Sequence, residues 1–323
     1  MDFQFIALPK GLFSRVTQVS PDIWTTRKLL VWMRQAFTKA ELDSPGLMAE
    51  MLLAHVIGCD RIRLHMEADR PAAPAEREAL RGLVGRALKN EPVQYLTGEG
   101  WFYGLAFKVD KRVLIPRPGT STIVDAVLGH SRVTPGFGGT GTSAGEGVLI
   151  ADLCTGSGCI AATLLKNLPG ARAVATDISE DALVVARENA VRHKVETRVE
   201  FARGDLFAGL AGHPVASAVE SLQYLVSNPP YIPDHEWDAV GPNVKDHEPH
   251  LALRGGKDGL DFLRRILKGG PELLKHGGML AVEIADSTAE AALALAKGTP
   301  GLVDARVVND FEGLARVVVA MKA

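Results

Sequence analysis

The residues best suited to chemistry are Ser227-Asn228-Pro229-Pro230-Tyr231-Ile232-Pro233. They follow Ser221-Leu222-Gln223-Tyr224-Leu225-Val226, whose last four residues read as a buried strand. Two prolines forbid the strand from continuing, because proline has no N–H for a ladder. Asn228 is therefore predicted at the carboxyl end of a strand, where open α/β sheets place their ligands. Around it the backbone offers carbonyl acceptors without competing donors. Asn228 adds a side-chain acceptor, and Tyr231 adds a flat face. Such a site suits a planar –NH2 group, held by accepting both of its hydrogens. By itself the tetrapeptide also fits a plain turn that ends a strand.

A second stretch, Gly147-Val148-Leu149-Ile150-Ala151-Asp152-Leu153-Cys154-Thr155-Gly156-Ser157-Gly158-Cys159-Ile160-Ala161, reads as strand, glycine turn and helix start. Gly156 and Gly158 permit positive φ and a close approach of backbone to ligand. The helix that follows offers free N–H groups to an anion. The third glycine of a dinucleotide fingerprint is missing. Another strand, Ala173-Val174-Ala175-Thr176, ends at Asp177, an acid about 20 residues past the loop and placed to bind ribose hydroxyls. Phe201-Ala202-Arg203-Gly204-Asp205-Leu206-Phe207 supplies a third strand end and a second acid, Asp205, suited to accept from an exocyclic adenine amine. Structural readings stand beside these: Asp177 as a cap for the helix from Ser179, and Asp205 as a turn residue.

In this order, glycine loop, acid, acid and Asn-Pro-Pro-Tyr resemble the class I S-adenosylmethionine-dependent methyltransferases. More narrowly, the chain is similar to the protein-glutamine methyltransferases that modify translation release factors. Three further stretches carry the narrower likeness. Residues 91–118 contain Pro92-Val93-Gln94-Tyr95-Leu96-Thr97-Gly98, Trp101-Phe102-Tyr103-Gly104-Leu105 and Val113-Leu114-Ile115-Pro116-Arg117-Pro118, like that family's interdomain segment. Asp246-His247-Glu248-Pro249, Leu251-Ala252-Leu253, Gly255-Gly256 and Asp258-Gly259-Leu260-Asp261 resemble the tract after its Asn-Pro-Pro-Tyr. Residues 24–71 resemble its helical N-terminal domain, and the likeness spans roughly residues 22–320.

The resemblance implies S-adenosylmethionine as methyl donor and S-adenosylhomocysteine as product. It implies a cofactor site made of Asp152, Cys154, Thr155, Gly156, Ser157, Gly158, Asp177, Asp205, Leu206 and Asn228. Asn228, Pro229 and Tyr231 are the expected catalytic residues, and Asn228, Pro229, Pro230 and Tyr231 the expected substrate contacts. A peptide chain release factor is the expected partner, modified at the glutamine of its Gly-Gly-Gln loop by a monomeric cytoplasmic enzyme. No nucleic acid, membrane or metal is required. A glutamine amide is a poor nucleophile because its lone pair is delocalised into the carbonyl. The Asn228 side-chain oxygen and the Pro229 carbonyl would accept its two N–H groups, favour positive charge developing on nitrogen, and aim the lone pair. Tyr231 would stack on the amide plane. The alternatives are a ribosomal-protein glutamine methyltransferase, which Asp152-Leu153-Cys154-Thr155-Gly156-Ser157-Gly158-Cys159 resembles, and an adenine or guanine amino methyltransferase of nucleic acid. A cofactor-binding scaffold without turnover is the third.

Two departures from the family pattern stand out. Cys154 occupies the place where many relatives carry the loop's first glycine, and it must either keep φ negative or tolerate strain. After Pro116-Arg117-Pro118 the family usually has two acids, whereas this chain has Gly119-Thr120-Ser121.

The elements that must position these residues follow from pattern. At 323 residues the chain suggests about two domains, and a hydrophobic fraction of 46% supports sizeable cores. Lys+Arg 36 against Asp+Glu 38 gives a net charge of −2, with no global footprint for nucleic acid. No apolar run reaches the length of a membrane span, and no secretory leader is expected. Cys59, Cys154 and Cys159 form neither a disulfide framework nor a zinc pattern, and read as small buried residues. His247-Glu248-Pro249-His250 is not read as a metal site, because Pro249 prevents helical presentation.

Residues 1–20 read as an extension and 21–90 as a helical substrate-recognition bundle. Helices are predicted at 25–37, at 45–57 with Ser44 as N-cap and Gly58 as stop, at 60–66 and at 75–90. Residues 91–118 read as a linking β-hairpin, and 119–323 as the catalytic domain, with a flexible insertion at 134–146. From Gly147 strand and helix alternate, giving an α/β fold: a doubly wound, mostly parallel sheet with an antiparallel C-terminal hairpin. Its later helices are expected at 160–168, 180–193, 259–274 and 287–296, and its last strands at 279–284, 305–308 and 316–321. Glu283, near a strand end, is expected to be a buried, paired carboxylate.

Overall fold

The computed structural model describes residues 23–134, 147–213, 218 and 220–323. The expected extension at 1–20, and the expected insertion at 134–146 apart from residue 134, lie outside the described residues. The chain divides into two compact units, Met1–Lys89 and Asn90–Ala323.

The first unit is helical: α1 (Thr26–Lys39), α2 (Pro45–Ile57), α3 (Arg61–Met66) and α4 (Pro74–Ala87). Met33 and Phe37 of α1, Leu52 and Leu53 of α2, Leu64 of α3 and Leu80 of α4 are fully or almost fully buried. Thr25 caps α1 by accepting from the Lys28 amide. Gly58 ends α2 in the left-handed region at φ 72°, where glycine carries no Cβ penalty. Ser44 departs from the expected cap. Its backbone is itself left-handed (φ 50°), and its hydroxyl makes no capping bond. Pro45 at the first helical position starts the helix without it.

The second unit opens with α5 (Val93–Thr97), β1 (Glu99–Phe102) and β2 (Leu105–Lys108). The expected hairpin is therefore shorter than residues 91–118. Pro92 starts a helical turn and Gly98, at φ 73°, stops it. Antiparallel pairing runs only from Glu99↔Lys108 to Phe102↔Leu105, around a Tyr103-Gly104 turn with both residues at positive φ.

The remaining elements are α6 (Ser121–Val133), β3 (Leu149–Leu153), α7 (Cys159–Asn167), β4 (Arg172–Asp177), α8 (Glu180–Arg192), β5 (Val199–Arg203), β6 (Leu222–Ser227), α9 (Pro242–Lys245), α10 (Asp261–Leu273), β7 (Leu274–Glu283), α11 (Ala289–Lys297), β8 (Leu302–Asn309) and β9 (Ala315–Lys322). The seven strands run in the order β5-β4-β3-β6-β7-β9-β8. β3 to β7 are parallel, while β9 is antiparallel to both β7 and β8.

Alternation along the strands builds two cores. Ile150, Tyr224, Val317 and Val319 pack with α6 and α7 on one face. Ala151, Leu225, Val318 and Ala320 pack with α10 and α11 on the other. A sheet covered on both faces has almost wholly buried central strands, and all six residues of β6 are buried. Gln223 and Ser227 are its polar members, and Ser227 donates to the Leu153 carbonyl at 2.7 Å, while Gln223 reaches β3 with both ends of its amide. Its Oε1 accepts from the Leu149 amide (2.7 Å) and its Nε2 donates to the Gly147 carbonyl (3.1 Å), so it satisfies the start of β3. Among the described residues no helix is long and apolar enough to cross a membrane.

Candidate active site

Strand register decides what meets what. Leu153 pairs with Thr176 on one side and with Ser227 on the other. Asp177 pairs with Arg203, and Ser227 with Val282. The loops beginning at Cys154, Ile178, Gly204 and Asn228 therefore leave the same edge of the sheet side by side. The chain winds outward from β3 through β4 to β5, then returns to β6 on the opposite side. Cys154 and Asn228 flank that reversal, the usual place for a ligand crevice in such sheets.

A cavity of about 230 Å³ lies there. Of the expected site residues, Cys154, Thr155, Gly156, Ser157, Asp177, Asp205, Leu206, Asn228 and Pro230 form its wall. Asp152, Gly158, Pro229 and Tyr231 do not. Asp152 sits behind the loop, fully buried, where its Oδ2 accepts from the Thr155 hydroxyl (2.6 Å) and the Ala161 amide (3.2 Å). Burial pushes its carboxyl up to about 7. Gly158 is packed rather than open: a Cβ there would meet the Ala186 Cβ at 3.2 Å. Gly156 is the reverse case, with φ 54° and nothing within 4 Å of a would-be Cβ.

Asp177 closes the glycine loop. Its Oδ2 accepts from the Gly156 amide and its Oδ1 from the Ser179 amide, both at 2.9 Å. Each oxygen keeps a further lone pair for a ligand hydroxyl. Burial raises its carboxyl above the ordinary range, and the amides that bond it pull it back. Ser179 rather than Asp177 caps α8, accepting from the Ala182 amide at 3.2 Å. Asp205 is bridged through Oδ2 to Arg265 of α10 (2.7 Å), and the Arg265 guanidinium lies over the Phe262 ring.

Two cavity residues other than glycine hold left-handed backbones: Cys154 at φ 58° and Leu206 at φ 52°. Cys154 thus takes the strained alternative, at a cost of roughly 1–2 kcal/mol. Its thiol is pushed up by burial and by the Asp177 carboxylate.

Asn228 is half-buried, and its Nδ2 donates to the Thr120 hydroxyl at 3.2 Å. Tyr231 was expected to offer a ring face. Its hydroxyl donates to Glu283 Oε1 (3.0 Å), and burial raises the phenol well above its usual range. Glu283 is 1% exposed; burial raises its carboxyl, while the Thr120 and Tyr231 hydroxyls and the charges of Arg316 and Arg117 favour its ionised form. Its Oε2 is buried with no partner in good hydrogen-bond geometry.

Three supporting residues escaped the sequence reading. Glu248 accepts from the Ile115 amide (3.1 Å) and from Arg117, clamping the Pro116-Arg117-Pro118 segment. Thr120 ends the 3-10 turn that follows this segment. Asn189 of α8 accepts from the Lys108 amide (2.7 Å) and donates to the Lys108 and Ser157 carbonyls (3.0 and 2.9 Å), tying hairpin to glycine loop. A signal for Asn189 existed: it continues the buried stripe of Ala182, Val185 and Ala186 at helical spacing. Among the described residues no group of His, Cys, Asp and Glu could hold a metal ion. In the His247–His250 tract, His250 donates to the Lys245 carbonyl at 2.7 Å.

Residues 28–98 match the family described as PrmC N-terminal domain, and residues 143–247 the Methyltransferase small domain. The chain is 39% identical to a release factor glutamine methyltransferase of Chlorobaculum tepidum, over 91% of this chain and 96% of that protein. It is 40% identical to one of Geobacter sulfurreducens, over 92% of this chain and 97% of that protein. Among solved structures it is similar to a release-factor-specific protein-(glutamine-N5) methyltransferase of Alicyclobacillus acidocaldarius, with 26% identity, a TM-score of 0.37, and 67% of this chain and 99% of that one covered. Likeness at this level along almost the whole of its relatives places the chain in the release factor glutamine methyltransferase family.

Proposed function

We propose that this chain transfers a methyl group from S-adenosylmethionine to the side-chain nitrogen of a glutamine in the Gly-Gly-Gln loop of a class 1 peptide release factor. One observation carries the chemistry. Asn228 stands in the cavity wall with its amide nitrogen engaged by Thr120, which leaves Oδ1 as an acceptor for the substrate amine.

The residues present suit the cofactor. Gly156 leaves open the space a side chain would fill, and the doubly bonded Asp177 keeps lone pairs for a diol. Leu206, Phe262 and Ile178 give the same cavity apolar walls for a purine ring. Thr155, Gly156, Ser157, Asp177, Asp205 and Leu206 would hold the nucleoside and its amino-acid tail. When bound, S-adenosylmethionine supplies an electrophilic methyl on a sulfonium.

Asn228 Oδ1 and the Pro229 carbonyl accept the two hydrogens of the glutamine amide and stabilise the positive charge growing on nitrogen. Holding both hydrogens also fixes the lone pair, and orientation contributes several kcal/mol in such reactions. Tyr231, tethered to Glu283, acts as a rigid side of the substrate pocket. The methylated nitrogen loses its extra proton to water without a strong base. The helical unit would grip the body of the release factor, since a tripeptide offers too little surface for a specific interface. The enzyme acts as a cytoplasmic monomer and needs no nucleic acid.

Incubation with labelled cofactor and purified release factor tests this, with its Gln→Ala loop variant and an undermethylated large-subunit ribosomal protein in parallel. Label in the release factor, lost with its loop glutamine, is expected. Label only in the ribosomal protein moves the substrate; label in neither, but in DNA or RNA, replaces the reading.

A further inference from the structure

We propose that Arg265 of α10 is a positioning residue for base recognition: it fixes the Asp205 carboxylate with one oxygen toward the cavity, which selects a 6-aminopurine over a 6-oxopurine. The inference rests on the reading of this cavity as the S-adenosylmethionine site. A carboxylate accepts and cannot donate. Adenine carries a donor at its 6-position, whereas hypoxanthine and guanine carry an acceptor there. Asp205 can read that difference only if its carboxylate is held in one direction. Its side chain is 46% exposed, so burial does not hold it.

Two contacts with α10 supply the hold. Arg265 Nη2 donates to Asp205 Oδ2 at 2.7 Å. One turn further along the helix, the Phe207 ring lies so close to Gly269 that a Cβ there would come within 2.8 Å of it. Phe262, Arg265 and Gly269 stand at helical spacing and share one face of α10. That face meets the Asp205-Leu206-Phe207 turn. The Arg265 guanidinium sits 5.7 Å from the Phe262 ring centroid, an attraction that keeps it on the same face. The turn is rigid on its own side as well. Gly204 folds so tightly onto Gly209 that a Cβ would lie 2.2 Å from its nitrogen. Leu206 holds φ 52° at 3% exposure, and such a backbone persists only where its surroundings over-determine it. Asp205, Leu206, Phe262 and Arg265 all line the cavity.

With Oδ2 turned to the guanidinium, Oδ1 is the oxygen left for a base. A solvent-exposed ion pair adds little affinity, because water screens it. Its contribution here is direction. Without Arg265 the carboxylate turns freely and no longer discriminates by position. In Asp205→Asn the same guanidinium would take the amide oxygen, the end that accepts, and leave Nδ2 toward the cavity. The preference should then shift toward a 6-oxopurine, but only while Arg265 is present to choose the end.

The test titrates the full-length chain by calorimetry with S-adenosylhomocysteine and with S-inosylhomocysteine, its hypoxanthine counterpart. The readout is the ratio of the two Kd values in wild type, Arg265→Met, Asp205→Ala, Asp205→Asn and Asp205→Asn combined with Arg265→Met. Methionine keeps an apolar stem against Phe262 and removes the donors. Wild type should bind the adenine ligand about tenfold or more tightly than the hypoxanthine one. Arg265→Met should bind the adenine ligand within about tenfold of wild type, yet lose about threefold or more of the preference. Asp205→Asn should lie on the hypoxanthine side of Asp205→Ala, and that extra movement should vanish when Arg265→Met is added. Loss of packing alone would weaken both ligands alike and leave the ratio in place. A ratio unchanged in Arg265→Met therefore overturns the inference, as does an Asp205→Asn shift that is the same with and without Arg265. Should Arg265→Met fail to fold, Asp205→Asn against Asp205→Ala decides, and equal ratios overturn the inference. A wild-type chain that shows the preference but methylates no glutamine refutes the proposed function and leaves the inference standing. One that binds neither ligand refutes both.

Discussion

The Gly156 amide donates to the Asp177 carboxylate across 2.9 Å, joining the loop after β3 to the end of β4. The side chain proposed to hold the ribose is thus also the one that shapes the loop. Asp177→Ala should weaken S-adenosylmethionine binding by about tenfold or more, because it removes a charged acceptor and frees the loop together. Asp177→Asn should fall between the two. Calorimetric titration of the three proteins checks this; equal affinities would remove Asp177 from the site.

Asn228→Ala should separate rate from binding. An acceptor that meets the substrate amine as charge develops contributes to the transition state, so kcat should drop roughly a hundredfold or more while cofactor affinity stays within a few-fold. Single-turnover methylation and cofactor titration on the same preparation are the measurement. A variant keeping most of its turnover would sink the acceptor role.

Glu248 bonds Arg117 and the Ile115 amide while only 4% exposed. Glu248→Ala leaves the guanidinium and a buried amide without their acceptor, which typically costs about 3 kcal/mol. For a unit of this size that is a fall of roughly 6–12 °C in Tm. Thermal unfolding followed by circular dichroism reads it directly. An unchanged Tm would mean that the segment is held by other contacts.

Asp152 makes a prediction about pH. Burial raises its folded-state carboxyl to about 7, against an unfolded value near 3.9. Between those values the folded chain keeps a proton that the unfolded chain releases. The stabilising contribution is complete below about pH 4 and is lost as pH rises through about 7. The Tm of wild type relative to Asp152→Asn should therefore decline from pH 5 to pH 8. Parallel curves would show that Asp152 is ionised throughout that range.

The sheet was legible because burial on both faces leaves a dense apolar signature. The runs at β3, β4 and β6, and the glycines and acids that end them, each carry their meaning within a few residues. What could not be read depended on partners far along the chain. Nothing near Thr120 announces Asn228, and nothing near Glu248 announces Ile115. Tyr231 shows the same dependence: its residue type suggests a face for stacking, and nothing near it announces Glu283, 52 residues on, which accepts from its hydroxyl. Ser44 shows the same limit locally: the residue type suits a cap, but a left-handed backbone turns the hydroxyl away from the helix start.

The Glu248 clamp has a consequence for synthesis. Ile115 precedes Glu248 by 133 residues. At roughly 5–20 residues per second, it leaves the ribosome on the order of ten seconds before its acceptor exists. Glu283, which anchors Tyr231, is translated later still. The nascent chain can fold its first helices early, but the acceptor pocket can close only when the carboxyl-terminal part of the sheet arrives.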